Sequence, residues 1–207
     1  MIRHHLILAI TNLGDPVLLV AAAMVLIAYM LRCGARRTAL MWLQAFAIAL
    51  FLVALSKFAV QLLGHAVLDV SSPSGHTGVS AAFYLCAAIA LGRAMTRIGR
   101  IALLGASATL VLAIAISRVL LDAHDVAEIV IGLLIGAGAA FWFARRSVGE
   151  APLPAFRARH LAAFAALVVA LNGWHVNPEP GIRQIAAGHW PPPPHVVSNG
   201  YDSWLVF

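Results

Sequence analysis

Residues 38–63 read TALMWLQAFAIALFLVALSKFAVQLL, a run broken by a single charge, Lys57, near its far end. Its length decides the fold class. A helix needs about 20 apolar residues to cross the hydrocarbon core of a bilayer, and this run is long enough. It shows no two-residue alternation, so it is a spanning helix and not a barrel strand. The same reading applies at 16–32, 75–92, 101–118, 126–144 and 158–173, the last being short and Ala-rich. The chain has 207 residues, of which 62% are hydrophobic and only 11% charged, with a mean hydropathy of +0.90. So few charges cannot cover the surface of a soluble domain of this size. The expectation is an all-α, polytopic membrane helix bundle of about six transmembrane helices over residues 1–173. A Pro-rich tail at 174–207 follows it, with PPPP at 191–194. That tail should lack regular helix, and its Trp204, Leu205 and Phe207 suit contact with the membrane interface as well as they suit disorder.

The segment before residue 16, MIRHHLILAITNLGD, has too short an apolar part for a signal peptide and lacks the small-residue cleavage pattern. It reads as a short interfacial lead-in, with Asp15-Pro16 at the start of the first span. Cys33 and Cys86 form neither a disulfide framework nor a metal-ligand pattern.

Orientation follows from charge. The connections at 32–37, 93–100 and 145–159 hold Arg32, Arg36, Arg37, Arg93, Arg97, Arg100, Arg145, Arg146, Arg157 and Arg159. These are ten of the 14 basic residues. Alternate connections share one face of a bundle, and the positive-inside rule makes this face cytoplasmic. Glu150 is the one acid there, while the other seven of the eight acids fall on or near the opposite face. The net charge of +6 therefore reflects topology. Arginines beside membrane spans give a nucleic-acid partner no support.

Two polar islands land together on the outer face. The first is SSPSGHTGVS at 71–80, ahead of the third span. Ser72 or Ser74 is a suitable N-cap, and Pro73 fits a first helical turn. The amides at that helix start, with the helix dipole, make an anion seat. Gly75 lets a ligand approach the backbone, and His76 can give or take a proton. The second island is SRVLLDAHDVAE at 117–128. On a helix opening at about Asp122, His124 and Glu128 share a face. A carboxylate on one ring nitrogen would fix the tautomer and leave the other as nucleophile. Arg118 offers a planar fork of donors suited to phosphate. Lys57 lies about a turn and a half from the outer end of its span, where a buried ammonium calls for an anion. Taken singly, these features read equally well as a helix cap, a snorkelling arginine and lysine, and a surface His–Glu pair. Taken together, they describe a site for phosphate transfer through a phosphohistidine. His65 and Asp69 alone do not make a metal site, so no metal and no cofactor are expected.

These residues resemble the type 2 phosphatidic acid phosphatase superfamily, whose motifs read K, six residues, R-P; then P-S-G-H; then S-R, five residues, H, three residues, D. Pro73-Ser74-Gly75-His76 is intact, and Ser117-Arg118 is followed at the same spacing by His124 and Glu128. Glu128 stands where the family has Asp. Gly64 and His65 stand where it has Arg and Pro, which leaves the site without one phosphate-binding arginine, a place that His65 could fill in part or that could leave a looser pocket. Motif one falls at the end of the second span and not the third. The chain is thus expected to begin on the outer face, with residues 12–15 near the mouth of the site.

The resemblance implies an integral membrane phosphatase that acts on lipid phosphate monoesters or pyrophosphates without a metal. His124 would be the nucleophile, Glu128 its orienting partner, and His76 the acid for the leaving alkoxide. Lys57, Ser74, Gly75 and Arg118 would hold the phosphate, with Ser117 in support. Phosphatidic acid, phosphatidylglycerophosphate and polyprenyl phosphates form the family's substrate range. Short loops and the arginine bias suggest a bacterial inner membrane with the site facing the periplasm. A lipid phosphotransferase using the same site, or a non-catalytic binder of lipid headgroups, are the alternative readings.

Overall fold

Asp15 and Pro16 divide the first apolar stretch into two helices. In the computed structural model, which describes residues 2–63, 73–154 and 166, α1 (Ile2–Asn12) meets α2 (Pro16–Arg32) at 44°. Pro16 has no N–H to lose at the first helical position. The Asp15 carboxylate accepts from Val17 N at 2.8 Å and Leu18 N at 3.3 Å. The lead-in is therefore itself helical, because HLILAIT at 5–11 contains no breaker.

Four longer helices follow: α3 (Arg36–Leu63), α4 (Gly75–Gly92), α5 (Arg97–Leu120) and α6 (Val126–Arg146). The described residues form no strand. Helices α3 to α6 are long and apolar enough to cross a membrane, and the bent α1–α2 pair can make a fifth crossing. The protein is an all-helical membrane protein. The sixth expected span, 158–173, and the tail at 174–207 lie outside the described residues.

The arginine-rich connections gather at one end. Arg37 Nε lies 3.2 Å from a Glu150 oxygen, Arg93 Nη2 donates to Ser147 Oγ, and the Tyr29 hydroxyl donates to the Pro154 carbonyl at 2.6 Å. A cavity of about 410 Å³ opens here, lined by Arg93, Arg100, Ser147 and Glu150 among others. It is at the opposite end of the helices from both polar islands.

The core is aromatic at its centre and made of small residues along one seam. Trp42 stacks on Phe46 at 5.2 Å between centroids, and both meet Phe83 edge-on, tying α3 to α4. Helices α4 and α6 approach so closely that no Cβ fits at Gly132 or Gly136 of α6. A Cβ at Gly132 would lie 2.7 Å from the Ser74 carbonyl oxygen, and one at Gly136 would lie 2.4 Å from that of Gly78. Hydrocarbon tails give no hydrophobic drive for helix association, so close backbone packing of this kind must supply it. Met24, Phe51, Ile98, Ile101, Leu134 and Phe141 point away from the bundle, as lipid-facing side chains should.

Candidate active site

The seam sets the register of the two islands. Ser74 N donates to the Glu128 carbonyl at 3.1 Å, which joins the start of α4 to the first turn of α6. Ser74 caps α4: its hydroxyl accepts from Thr77 N at 3.4 Å and lies 3.0 Å from the Thr77 hydroxyl. Pro73 thus precedes the cap instead of occupying the first turn. Gly75 and His76 open the helix, with His76 half-buried. Lys57 reaches this point from α3. A Cβ on Gly75 would stand 3.6 Å from Lys57 Cε, so the ammonium arm lies along the glycine. At 7% exposure, Lys57 is buried and does not snorkel.

The five residues between Arg118 and His124 form a defined turn. Ala123 N donates to the Arg118 carbonyl and Asp122 N to that of Val119, both at 3.0 Å, the bonding pattern of a Schellman ending. Asp122 takes the left-handed position at φ 51°, which Asp tolerates better than most residues. Helix α6 therefore opens at Val126 and not at about Asp122. Asp125 is its N-cap, in a capping box: Glu128 N donates to Asp125 Oδ1 at 2.9 Å, and Asp125 N to Glu128 Oε2 at 3.3 Å.

His124 consequently lies just before the helix and meets Glu128 across the cap, not along a helical face. Its Nδ1 is 2.6 Å from Glu128 Oε2. A carboxylate can only accept, so Nδ1 carries the proton and Nε2 keeps its lone pair. The capping box also accounts for glutamate at this position. One carboxylate reaches back to the cap amide and to the imidazole together, and an aspartate arm is one methylene shorter. Burial pushes the His124 pKa down, and the charges of Lys57 and Arg118 add to that; the Glu128 contact opposes it. The balance lowers the pKa, which favours the neutral imidazole.

Arg118, 4% exposed, is held in turn by the N-terminal helix: its Nη1 donates to Thr11 Oγ1 at 3.2 Å. Gly14 packs on Ile114 and lies beside the His76 carbonyl, which puts residues 12–15 at the site as their position in the sequence suggests. The Ser117 hydroxyl donates to its own helix, at the Ile114 carbonyl, 2.6 Å away. The structure thus brings together Lys57, Ser74, Gly75, Arg118, His124 and Glu128, with His76 next to Gly75 in the first turn of α4 and Ser117 bonded to its own helix backbone. Gly64, His65 and Asp69 lie outside the described residues.

Sequence reasoning passed over two contributors. The Gly132–Gly136 pair is a legible G-x-x-x-G signal inside an apolar run. Thr11 carries no local signal at all.

This arrangement of P-S-G-H and S-R-x5-H around one helix seam can be set against known proteins. Residues 59–150 match the PAP2 superfamily. The match takes in the second and third PAP2 motifs and begins just after Lys57. An uncharacterized 22.5 kDa protein in the cps region of Klebsiella pneumoniae is 34% identical over 137 residues, which cover 65% of this chain and 66% of the relative. The aligned part is thus just under two thirds of that relative's length. No solved structure matches significantly. The PAP2 match supports a phosphatase-type function in a membrane protein.

Proposed function

We propose that this chain is a lipid phosphate phosphatase that works through a phosphohistidine on His124. The observation that carries the reading is the 2.6 Å contact between His124 Nδ1 and Glu128, which leaves Nε2 with its lone pair, within reach of the charges of buried Lys57 and Arg118. Nε2 attacks phosphorus, forming an N–P bond as the P–O bond to the lipid alkoxide breaks. His76 gives the alkoxide its proton. Water then attacks the phosphohistidine and returns a proton to His76, releasing phosphate and restoring neutral His124. Lys57, Arg118 and the amides at the start of α4 stabilise the charge on the transferring oxygens.

The substrate class is a phosphate monoester or pyrophosphate on a membrane lipid: phosphatidic acid, phosphatidylglycerophosphate or a polyprenyl phosphate. The test is phosphate release by the purified chain in detergent against a panel of these lipids. Release from at least one is expected; no release from any of them, or transfer only to an added acceptor lipid, overturns the hydrolase reading. Activity should persist in EDTA, because the cations invoked are Lys57 and Arg118 side chains. A requirement for added magnesium would count against this scheme.

On this reading the site faces the periplasm from a bacterial inner membrane, an orientation supported by the positive-inside rule, with the arginine-rich end in the cytoplasm. Met95→Cys, at an exposed position in a background lacking Cys33 and Cys86, should resist a membrane-impermeant maleimide in whole spheroplasts. It should react once they are opened. Labelling in intact spheroplasts would invert the orientation.

A further inference from the structure

Thr11 lies 107 residues from Arg118 in the sequence, yet its hydroxyl accepts a hydrogen bond from the guanidinium. Both side chains are 4% exposed. The turn that follows is fastened at two more points. The Tyr84 hydroxyl of α4 donates to the Leu13 carbonyl at 2.8 Å. Gly14 sits so tightly that a Cβ there would lie 2.6 Å from Ile114 Cγ2 on α5 and 3.5 Å from the His76 carbonyl oxygen. The α1–α2 turn is thus clamped against α4 and α5, the two helices that bear His76 and Arg118.

We propose that Thr11 is a positioning residue for the phosphate site, fixing the plane of the Arg118 guanidinium, and that α1 forms a wall of that site. Identifying the ligand as phosphate rests on the phosphatase reading above. A guanidinium presents its donors in one rigid plane, so anchoring a single N–H directs the rest of the fork. The anchoring matters more here than in a site with two arginines, because Gly64 stands where the family motif supplies the second. The threonine hydroxyl is neutral, so it orients the arginine without cancelling the charge that a phosphate needs.

The test uses the full chain in detergent with dioctanoyl phosphatidic acid as substrate and inorganic phosphate as competing ligand. Thr11→Val keeps the volume and removes the acceptor, Thr11→Ala removes both, and Thr11→Ser restores the hydroxyl. Expected for the valine and alanine variants is a rise of about tenfold in KM and in the phosphate inhibition constant, equivalent to about 1.4 kcal/mol. Thr11→Ser should stay within about twofold of the parent protein. Unchanged constants in Thr11→Val and Thr11→Ala, or a serine variant as impaired as the alanine one, overturns the assignment.

Thermal stabilisation by inorganic phosphate separates this failure from that of the parent reading. A parent chain that is stabilised by phosphate but releases none from lipid sinks the phosphatase reading alone. The inference then stands if Thr11→Val loses the stabilisation and falls if it keeps it. A parent chain that phosphate does not stabilise and that releases none from lipid overturns both; one that releases phosphate from lipid without being stabilised keeps the phosphatase reading, and the inference is then decided by the KM values of the Thr11 variants.

Discussion

Replacing His124 with alanine will abolish phosphate release from every lipid phosphate that the parent chain hydrolyses. The expected loss is at least about 10⁴-fold, the order that follows removal of a covalent nucleophile. The reason lies in division of labour. Lys57, Arg118 and the helix start can bind the anion without His124, but the attacking nitrogen is lost with the imidazole that Glu128 orients. His76→Ala should cost less, about 10²–10⁴-fold as for general acid catalysis. Its cost should shrink further on p-nitrophenyl phosphate, whose leaving group needs no proton. The same variant should let a phosphoryl label accumulate that survives alkali and is lost in acid, as an N–P bond requires. The lowered His124 pKa carries a sign as well. The neutral form survives to lower pH than for an exposed histidine, so the acid limb of the His124-dependent profile should fall below the ordinary histidine range. A His124→Ala chain with parental activity would remove this residue as nucleophile, whatever became of the pH profile.

Much of this site was legible because its residues are wrong for their surroundings. Lys57, Arg118 and the Pro73–His76 cluster stand out in a chain made mostly of Ala, Leu, Val and Ile, and the helix ends at 32 and 92 follow where the apolar runs stop. The span at 126–144 begins where α6 begins, but in the sequence the helical turn carrying His124 reads as opening earlier, at about Asp122. Its left-handed backbone ends α5 instead. The capping box explains why Glu128 replaces Asp, yet its double duty appears only once His124 is placed before the helix. Thr11 was out of reach for a different reason. A contact across 107 residues leaves no periodicity or spacing to read, and one threonine near the end of an apolar helix is ordinary.

The helix seam predicts the second large effect, and it discriminates between two glycines of one helix. Gly136→Leu should strongly destabilise the protein, whereas Gly138→Leu should be nearly silent. A Cβ at Gly136 meets the Gly78 carbonyl oxygen at 2.4 Å, the Ala81 Cβ at 2.5 Å and the Ala82 amide at 2.9 Å. Two of these three are backbone atoms of α4, which cannot swing aside as a side chain can. A Cβ at Gly138 meets nothing within 4 Å. Overpacking a tight contact costs about 1–3 kcal/mol when side chains can adjust, and a backbone clash should exceed that range. Function should suffer alongside stability, because the same seam carries the Ser74–Glu128 backbone bond that joins the two halves of the site. Spreading α4 from α6 would draw Ser74 and Gly75, at the start of α4, away from Glu128 and His124, at the start of α6. Melting temperature in detergent and phosphate release, measured on both variants, check this together. Equal melting temperatures for Gly136→Leu and Gly138→Leu would mean that α4 and α6 are not packed as described, and the geometry of the candidate site would fall with them.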